Sequence, residues 1–215
     1  MIVKICGVKT VEEATICAEA GADMIGLNFY PKSPRYIERP VAAQIAAALR
    51  ARPNPPTLVG VFVDESLQRM TATLADCGLD VAQLSGDEPD AIVQALGRRA
   101  FKAWRINSPQ QQAQSLPPQA YSHRPDFLID AHVPGKFGGT GETADWEWAA
   151  GMARRARVLL AGGLTPDNVA DAIRRVRPWG VDVASGVESS PGLKDAAKVK
   201  AFIEAARHRT NDRFA

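Results

Sequence analysis

Two side chains that could carry acid–base chemistry stand at the ends of short apolar runs in this sequence. Cys6 ends the run "IVKIC", and Asp130 ends the run "FLID". A thiol and a carboxyl can act as base and acid when one is deprotonated and the other protonated near neutral pH. Each also has a plain structural interpretation, Cys6 as a small buried side chain and Asp130 as a helix cap or turn former. Position alone leaves both interpretations open.

Glycine-containing turns follow the last two apolar runs. The stretch "LLAGGLTPDNV" contains Gly162 and Gly163, and "VDVASGVESSPGLKD" contains Ser185 and Gly186. Glycine lets backbone N–H groups approach an anion closely, and helix N-termini favour negative charge. Any strand-to-helix turn can use glycine, but two successive turns of this kind favour a phosphate site.

Charged residues near other runs fit either a binding or a structural role. Arg35 lies in the proline-stiffened stretch "FYPKSPRYI". A guanidinium there suits a fixed carboxylate, although a solvated surface arginine is the simpler interpretation of this stretch taken alone. Lys4 shares a strand face with Cys6, because side chains alternate with a period of two along a strand. Asp182 lies in the last apolar run, which neighbours the first in a closed barrel, so we predict that Lys4 and Asp182 pair inside it.

Eight short apolar runs alternate with amphipathic, alanine-rich stretches, and these elements must position the polar side chains. The predicted strands are residues 2–6, 23–29, 57–63, 80–84, 100–106, 126–131, 157–161 and 180–184. The predicted helices are residues 11–21, 40–51, 66–77, 89–98, 109–115, 145–155, 167–176 and 195–207. This order predicts parallel strands with crossover helices, and its count and length favour a closed (β/α)8 barrel over an open doubly wound sheet. The carboxyl ends of barrel strands form one rim, where Cys6, Asp130 and both glycine turns would gather.

Local signals support two of the helix starts. Thr10 and Glu13 have the spacing of a capping box, in which each side chain pairs with the backbone N–H of the other residue. Pro166, after Thr165, suits the first turn of the following helix.

The chain shows no composition shift or long linker, so we predict one barrel domain over residues 1–215, with a frayed basic tail at 207–215. Residues 107–125 are rich in Gln and Pro and predict a poorly formed fifth helix among loops. The glycine-rich segment 132–144 could fold over a ligand. Oligomeric state stays open, because apolar residues on the outer faces serve helix packing equally well.

Composition narrows the class of partner. The net charge of +2, from 26 basic and 24 acidic residues, does not indicate a nucleic-acid partner. The apolar runs are shorter than the roughly 20 residues of a membrane span, and no secretory signal is visible. Three widely spaced cysteines and three scattered histidines predict neither a metal site nor a disulfide framework, and they favour a cytoplasmic location. Of these cysteines, Cys17 and Cys77 are expected to be buried small hydrophobic side chains.

An ordered set of motifs resembles the phosphoribosylanthranilate isomerase family of tryptophan biosynthesis. The matching stretches are "KICGVKT", "GADMIGLNFYPKSPRYI", "GVFVD", "VAQLSGDEP", "FLIDA", "GGTGETADW", "LAGGLTPDNV" and "VDVASGVESSPGLKD". The resemblance implies a (β/α)8 barrel that acts without a metal or organic cofactor on a small phosphosugar. The implied reaction is an Amadori rearrangement of N-(5-phosphoribosyl)anthranilate to 1-(2-carboxyphenylamino)-1-deoxyribulose 5-phosphate.

The resemblance also implies roles for individual residues. It implies Cys6 as general base, Asp130 as general acid and Arg35 as the binder of the anthranilate carboxylate. It implies a phosphate site made of Gly162, Gly163, Ser185 and Gly186.

Two further positions follow from the same resemblance. Gln83, in "QLSG", is expected to line the pocket. Ser85 stands where this family usually has histidine, which leaves the polar contacts of that loop open.

A base at position 6 must be deprotonated, and we propose that Lys4 helps to lower the pKa of the Cys6 thiol.

Two other functions fit parts of the pattern. The histidine-pathway sugar isomerase runs the same chemistry on this fold, but it is expected to carry aspartate at position 6 and phosphate sites in both halves. A catalytically silent phosphosugar-binding barrel is the other alternative, and the joint presence of Cys6 and Asp130 argues against it.

Overall fold

Eight parallel strands close into a barrel in the computed structural model, which describes residues 1–105, 124–130 and 144–208. The strands are β1 (Ile2–Cys6), β2 (Met24–Asn28), β3 (Thr57–Phe62), β4 (Val81–Leu84), β5 (Ala100–Arg105), β6 (Phe127–Asp130), β7 (Val158–Ala161) and β8 (Gly180–Val183). Each strand pairs with the next, and β8 pairs with β1 to close the ring. The closed barrel is therefore confirmed and the open sheet excluded, and each predicted strand end lies within one residue of the observed end.

Seven α-helices among the described residues follow the strands. They are α1 (Val11–Ala20), α2 (Arg39–Arg50), α3 (Leu67–Asp76), α4 (Asp90–Leu96), α5 (Ala144–Ala153), α6 (Val169–Val176) and α7 (Ala196–His208). A short antiparallel pair, β9 (Glu188–Ser190) and β10 (Leu193–Lys194), lies between β8 and α7. The predicted helix at 109–115 lies outside the described residues, and so do most residues of the predicted loops 107–125 and 132–144. Residues 207 and 208, predicted as part of a tail, belong to α7.

Alternation along the strands separates two apolar cores. Odd-numbered residues of β1, such as Val3 and Ile5, face the helices and are fully buried there. The inner faces of the strands fill the barrel with a second cluster, made of Met24, Val59, Val81, Phe101, Leu128, Leu159 and Ala161. Lys4 and Cys6 lie on this inner face, above Ile2, which packs against the inner cluster. The barrel is thus a packed core with polar groups toward its carboxyl rim.

The start of α1 departs from the predicted capping box. Thr10 Oγ1 accepts from the Glu13 N–H at 3.1 Å, as expected. The Glu13 carboxylate does not return to Thr10; it accepts from the N–H of Lys9 at 2.8 Å and from that of Lys194 at 2.9 Å. Glu13 therefore joins the loop after β1 to the β9–β10 pair, a contact between opposite ends of the chain.

Across the described parts of the chain, none of the helices has both the length and the apolar character that crossing a bilayer requires.

We expect Glu13→Ala to lower the free energy of unfolding by about 2–4 kcal/mol, because two partly or fully buried N–H groups lose their acceptor. Urea unfolding followed by circular dichroism measures the change. Glu12→Ala is the matched control, since Glu12 is exposed in the same helical turn. Equal losses in the two variants would show that the carboxylate bridge contributes no stability.

Candidate active site

A buried ion pair lies beneath the thiol of Cys6. Lys4 Nζ donates to Asp182 Oδ1 at 2.9 Å, and the Lys4 side chain is fully buried. The two residues are register partners across the β1–β8 junction. The predicted pair is therefore confirmed. A buried ammonium is costly without such a partner, so the pair lets the barrel interior hold a cation beside Cys6.

Burial and charge act on the Cys6 thiol in opposite directions. Burial raises the pKa of this thiol, Lys4 lowers it, Asp182 raises it and Lys194 lowers it, and the pKa ends above its ordinary value. Lys4 thus acts in the predicted direction, but desolvation outweighs it. Burial also lowers the pKa of Lys4, yet Asp182 and Cys6 together raise that pKa above its ordinary value. Lys4 is accordingly a permanent cation at neutral pH.

Gly26 makes room for this group, and sequence reasoning missed it. It is the register partner of Cys6 on β2. A Cβ at this position would lie 2.9 Å from Cys6 Sγ and 3.1 Å from Lys4 Nζ. Real Cβ atoms essentially never approach another atom within 3.0 Å, so a side chain here would displace the thiol and crowd the ammonium.

Asp130 ends β6 on the inner face of the barrel. Leu128, two residues earlier, belongs to the inner cluster, whereas Phe127 and Ile129 pack against the helices. Asp130 is partly exposed and is the register partner of Ala161 at the end of β7. Strand alternation therefore places Asp130 and Cys6 on the same side of their strands at one rim.

The glycine turns after β7 and β8 pack against each other. A Cβ on Gly186 would lie 1.9 Å from the Leu164 carbonyl oxygen, so only glycine allows this contact. Gly162 and Gly163 have φ of 97° and 63°, and a Cβ on Gly163 would meet no atom of the described residues within 4 Å.

The Asn168 side chain stabilises the turn after β7 with two hydrogen bonds. Asn168 donates to the Gly163 carbonyl at 2.9 Å and accepts from the Thr165 N–H at 2.8 Å. Helix α6 begins only at Val169, so Pro166 lies in this turn and not in the first helical turn as predicted.

Arg35 does not stand alone in solvent. Its Nε and Nη2 donate to the two carboxylate oxygens of Glu188, each at 2.7 Å. Lys194 Nζ also donates to Glu188, at 2.8 Å, and both Glu188 and Lys194 are buried. The stem of Arg35 crosses Gly7, whose Cβ would lie 2.3 Å from Arg35 Cδ. The guanidinium is therefore held beside the strand end that carries Cys6.

Gln83 points into the barrel from β4 and keeps one polar atom unsatisfied. Its Nε2 donates to Ser85 Oγ at 3.0 Å. Its Oε1 is buried without a hydrogen-bond partner in the part of the chain that the structure describes. Ser85 therefore helps to orient the Gln83 amide, and the Gln83 carbonyl keeps its capacity to accept a hydrogen bond.

Comparison with known proteins decides the family. A family model described as N-(5′-phosphoribosyl)anthranilate (PRA) isomerase matches residues 3–205. The chain belongs to the PRA isomerase family. A PRA isomerase from Roseiflexus castenholzii is 52% identical over 213 residues, covering 96% of this chain and 98% of that protein. One from Myxococcus xanthus is 45% identical over 206 residues, covering 95% of each chain.

Solved PRA isomerase structures share the architecture. The enzyme from Thermotoga maritima is 38% identical, with a TM-score of 0.82 over 96% of this chain and 98% of that chain. A second structure is of a PRA isomerase in complex with reduced 1-(o-carboxyphenylamino)-1-deoxyribulose 5-phosphate. It is 34% identical, with a TM-score of 0.79 over 96% of this chain and 98% of that chain. The family resemblance and the barrel are thereby confirmed.

The Gly26→Ala substitution tests the space around the thiol. The added methyl would press on Cys6 Sγ and Lys4 Nζ, so we expect it to destabilise the protein by about 1–3 kcal/mol, the usual range for overpacking. Urea unfolding measures this. Gly151→Ala in α5 is the control, because among the described residues its Cβ would approach Arg154 Nη2 alone, at 3.8 Å. A Gly26→Ala variant as stable as this control would show that the site is not tightly packed.

We expect Lys4→Met to raise the pKa of Cys6 further, because the variant removes a cation and leaves the Asp182 carboxylate. The thiolate absorbance, followed against pH in a Cys17→Ala/Cys77→Ala background, reports this pKa directly. The matched control is Lys200→Met, which removes an exposed lysine of α7. An unchanged or lowered pKa in the Lys4 variant would remove the role assigned to the buried ammonium.

Proposed function

We propose that this chain catalyses the Amadori rearrangement of N-(5-phosphoribosyl)anthranilate, with Cys6 as general base and Asp130 as general acid. The observation that carries the proposal is their placement. In a barrel of the PRA isomerase family, a thiol and a carboxyl stand on the inner face at the carboxyl ends of β1 and β6. Catalytic groups of (β/α)8 enzymes come from such strand ends.

The reaction divides between the two groups. Asp130 gives a proton to the ribose ring oxygen, and the nitrogen lone pair then breaks the bond from that oxygen to C1, which opens the ring to an iminium. The iminium acidifies the C2–H bond, and the Cys6 thiolate takes this proton. The electron pair moves to form a C1–C2 enol–amine. This intermediate takes up a proton at C1, gives up the proton of its C2 hydroxyl and so becomes the ketone. A positioned acid or base of this kind contributes about 10²–10⁴-fold in rate.

The raised pKa of Cys6 fits this sequence of steps. A thiol of high pKa is a strong base once it is ionised, and ionisation requires nearby positive charge. Lys4 and Lys194 both lower its pKa. The iminium adds a third cation at the moment when the base is needed. The site therefore favours the thiolate most strongly after the ring has opened.

Three further parts of the rim suit the remaining substrate groups. We assign the anthranilate carboxylate to Arg35, whose guanidinium lies beside the end of β1. We assign the phosphate to the packed turns that contain Gly162, Gly163, Ser185 and Gly186. We assign a substrate O–H or N–H to the unsatisfied Gln83 carbonyl. The substrate is thus a small phosphosugar with an anion at each end.

The family match favours this reaction over the alternatives. The histidine-pathway isomerase and the silent binding barrel share the fold, but the matching family and the relatives reported above are PRA isomerases. We also propose that residues 1–215 form one domain, which the single ring of strands from β1 to β8 supports.

We expect Cys6→Ala and Asp130→Asn each to lower kcat by about 10²–10⁴-fold, because each removes one proton-transfer group. The assay follows the loss of phosphoribosylanthranilate fluorescence. Cys17→Ala is the matched control, since Cys17 is also buried but lies in α1, outside the ring of strands. We expect it to retain full activity.

Equal rates for Cys6→Ala and Cys17→Ala would remove the base assignment. Binding without turnover in the unmodified protein would instead favour the silent phosphosugar-binding barrel.

A further inference from the structure

Glu188 lies at the centre of a group of charges that the acid–base scheme does not use. Its side chain is 4% exposed, against 22% for Arg35 and 1% for Lys194. Burial raises the pKa of its carboxyl, but hydrogen bonds from Arg35 and Lys194 lower that pKa more, and it ends below its ordinary value. Glu188 is therefore an anion whose place is fixed from several sides.

Lysines other than the partner guanidinium also hold Glu188 in place. Lys194 Nζ binds its carboxylate and also donates to the Ala184 carbonyl at 3.0 Å. Lys198 Nζ donates to the Glu188 carbonyl oxygen at 2.8 Å. The Lys194 N–H is in turn held by Glu13. The carboxylate is a rigid support on which a guanidinium can be oriented.

The bonding pattern leaves a defined part of Arg35 available. Among the described residues, hydrogen bonds from its guanidinium use Nε and Nη2 and go to Glu188 alone. A guanidinium has five N–H donors in one plane. The edge formed by Nη1 and the second N–H of Nη2 therefore keeps its capacity to bind a second carboxylate, next to that of Glu188. Glu188 carries one negative charge against the two positive charges of Arg35 and Lys194. The group keeps a net charge of about +1, which favours another anion.

We propose that Glu188 is a positioning residue, which holds the Arg35 guanidinium so that its free edge receives the substrate carboxylate. This inference rests on the proposed function, and it makes Glu188 a determinant of specificity for a carboxylated aromatic amine. Lys194 prevents Glu188 from cancelling the charge of Arg35. It also couples the group to Cys6, whose pKa it lowers.

A comparison of two substrates, one with and one without the carboxylate, separates a positioning role of Glu188 from a general structural role. Condensing ribose 5-phosphate with anthranilate or with aniline gives a substrate with or without the carboxylate. Chromatographic detection of the ketose product then gives kcat/KM for each substrate. The ratio of the two values isolates recognition of the carboxylate, because effects on the thiol, the acid or the fold act on both substrates.

We expect Glu188→Gln to lower this ratio by roughly 10–100-fold, mainly through KM for the anthranilate substrate, as loss of an oriented charged hydrogen bond predicts. The NH₂ group of the glutamine would face a guanidinium N–H of Arg35, and because two donors cannot bond to each other the guanidinium would rotate away. Arg35→Met should lower the ratio similarly, and the double variant should add little. Glu204→Gln is the control, since Glu204 is exposed on α7.

Three outcomes would overturn the inference. An unchanged ratio with both substrates slowed equally would make Glu188 merely structural. Tighter binding of the anthranilate substrate by Glu188→Gln would make it a competitor for Arg35. No turnover by the unmodified protein would overturn the proposed function together with this inference, whereas the first two outcomes leave that function standing.

Discussion

The burial of an ammonium inside the barrel is the constraint on which the other features of the site depend. Lys4 loses its hydration on burial, and the Asp182 carboxylate at 2.9 Å stabilises its charge. The pairing of β1 with β8 closes the ring. The ion pair between these two strands therefore stabilises the closed barrel and also places a cation beside Cys6. Gly26 is part of this arrangement, since a side chain there would occupy the space of the thiol and the ammonium.

The first and last units of the barrel are joined a second time at the rim. Glu13 accepts from the backbone of Lys9 and of Lys194, and Glu188 binds the side chains of Arg35 and Lys194. These carboxylates are buried and paired, unlike the exposed ion pairs on the helices, which contribute little. The loops after β1, β2 and β8 are thereby held as one surface around the end of β1, so groups that are distant in sequence keep fixed relative positions.

Electrostatics at this rim suits a substrate that is anionic at both ends and becomes cationic in the middle. Arg35 and Lys194 provide positive charge on one side, and the glycine turns after β7 and β8 present backbone on the other. Burial keeps the thiol protonated at first, because its cost exceeds the help from Lys4. In the proposed mechanism, a positive charge formed during ring opening would shift that balance toward the thiolate, which links protonation of the thiol to the progress of the reaction.

The sequence by itself determined the eight-fold alternation, the strand ends and the shared face of Lys4 and Cys6 on the first strand, because hydrophobic and strand periodicity are local properties of the chain. It therefore placed Cys6 and Asp130 at one rim and predicted the pairing of Lys4 with Asp182. It did not identify Glu188, whose partner Arg35 is 153 residues away, nor the close packing at Gly26. It also gave Lys4 too much influence over the thiol. Only the tertiary structure decided these points, because desolvation and contact distance depend on every neighbour in space, and periodicity carries no information about them.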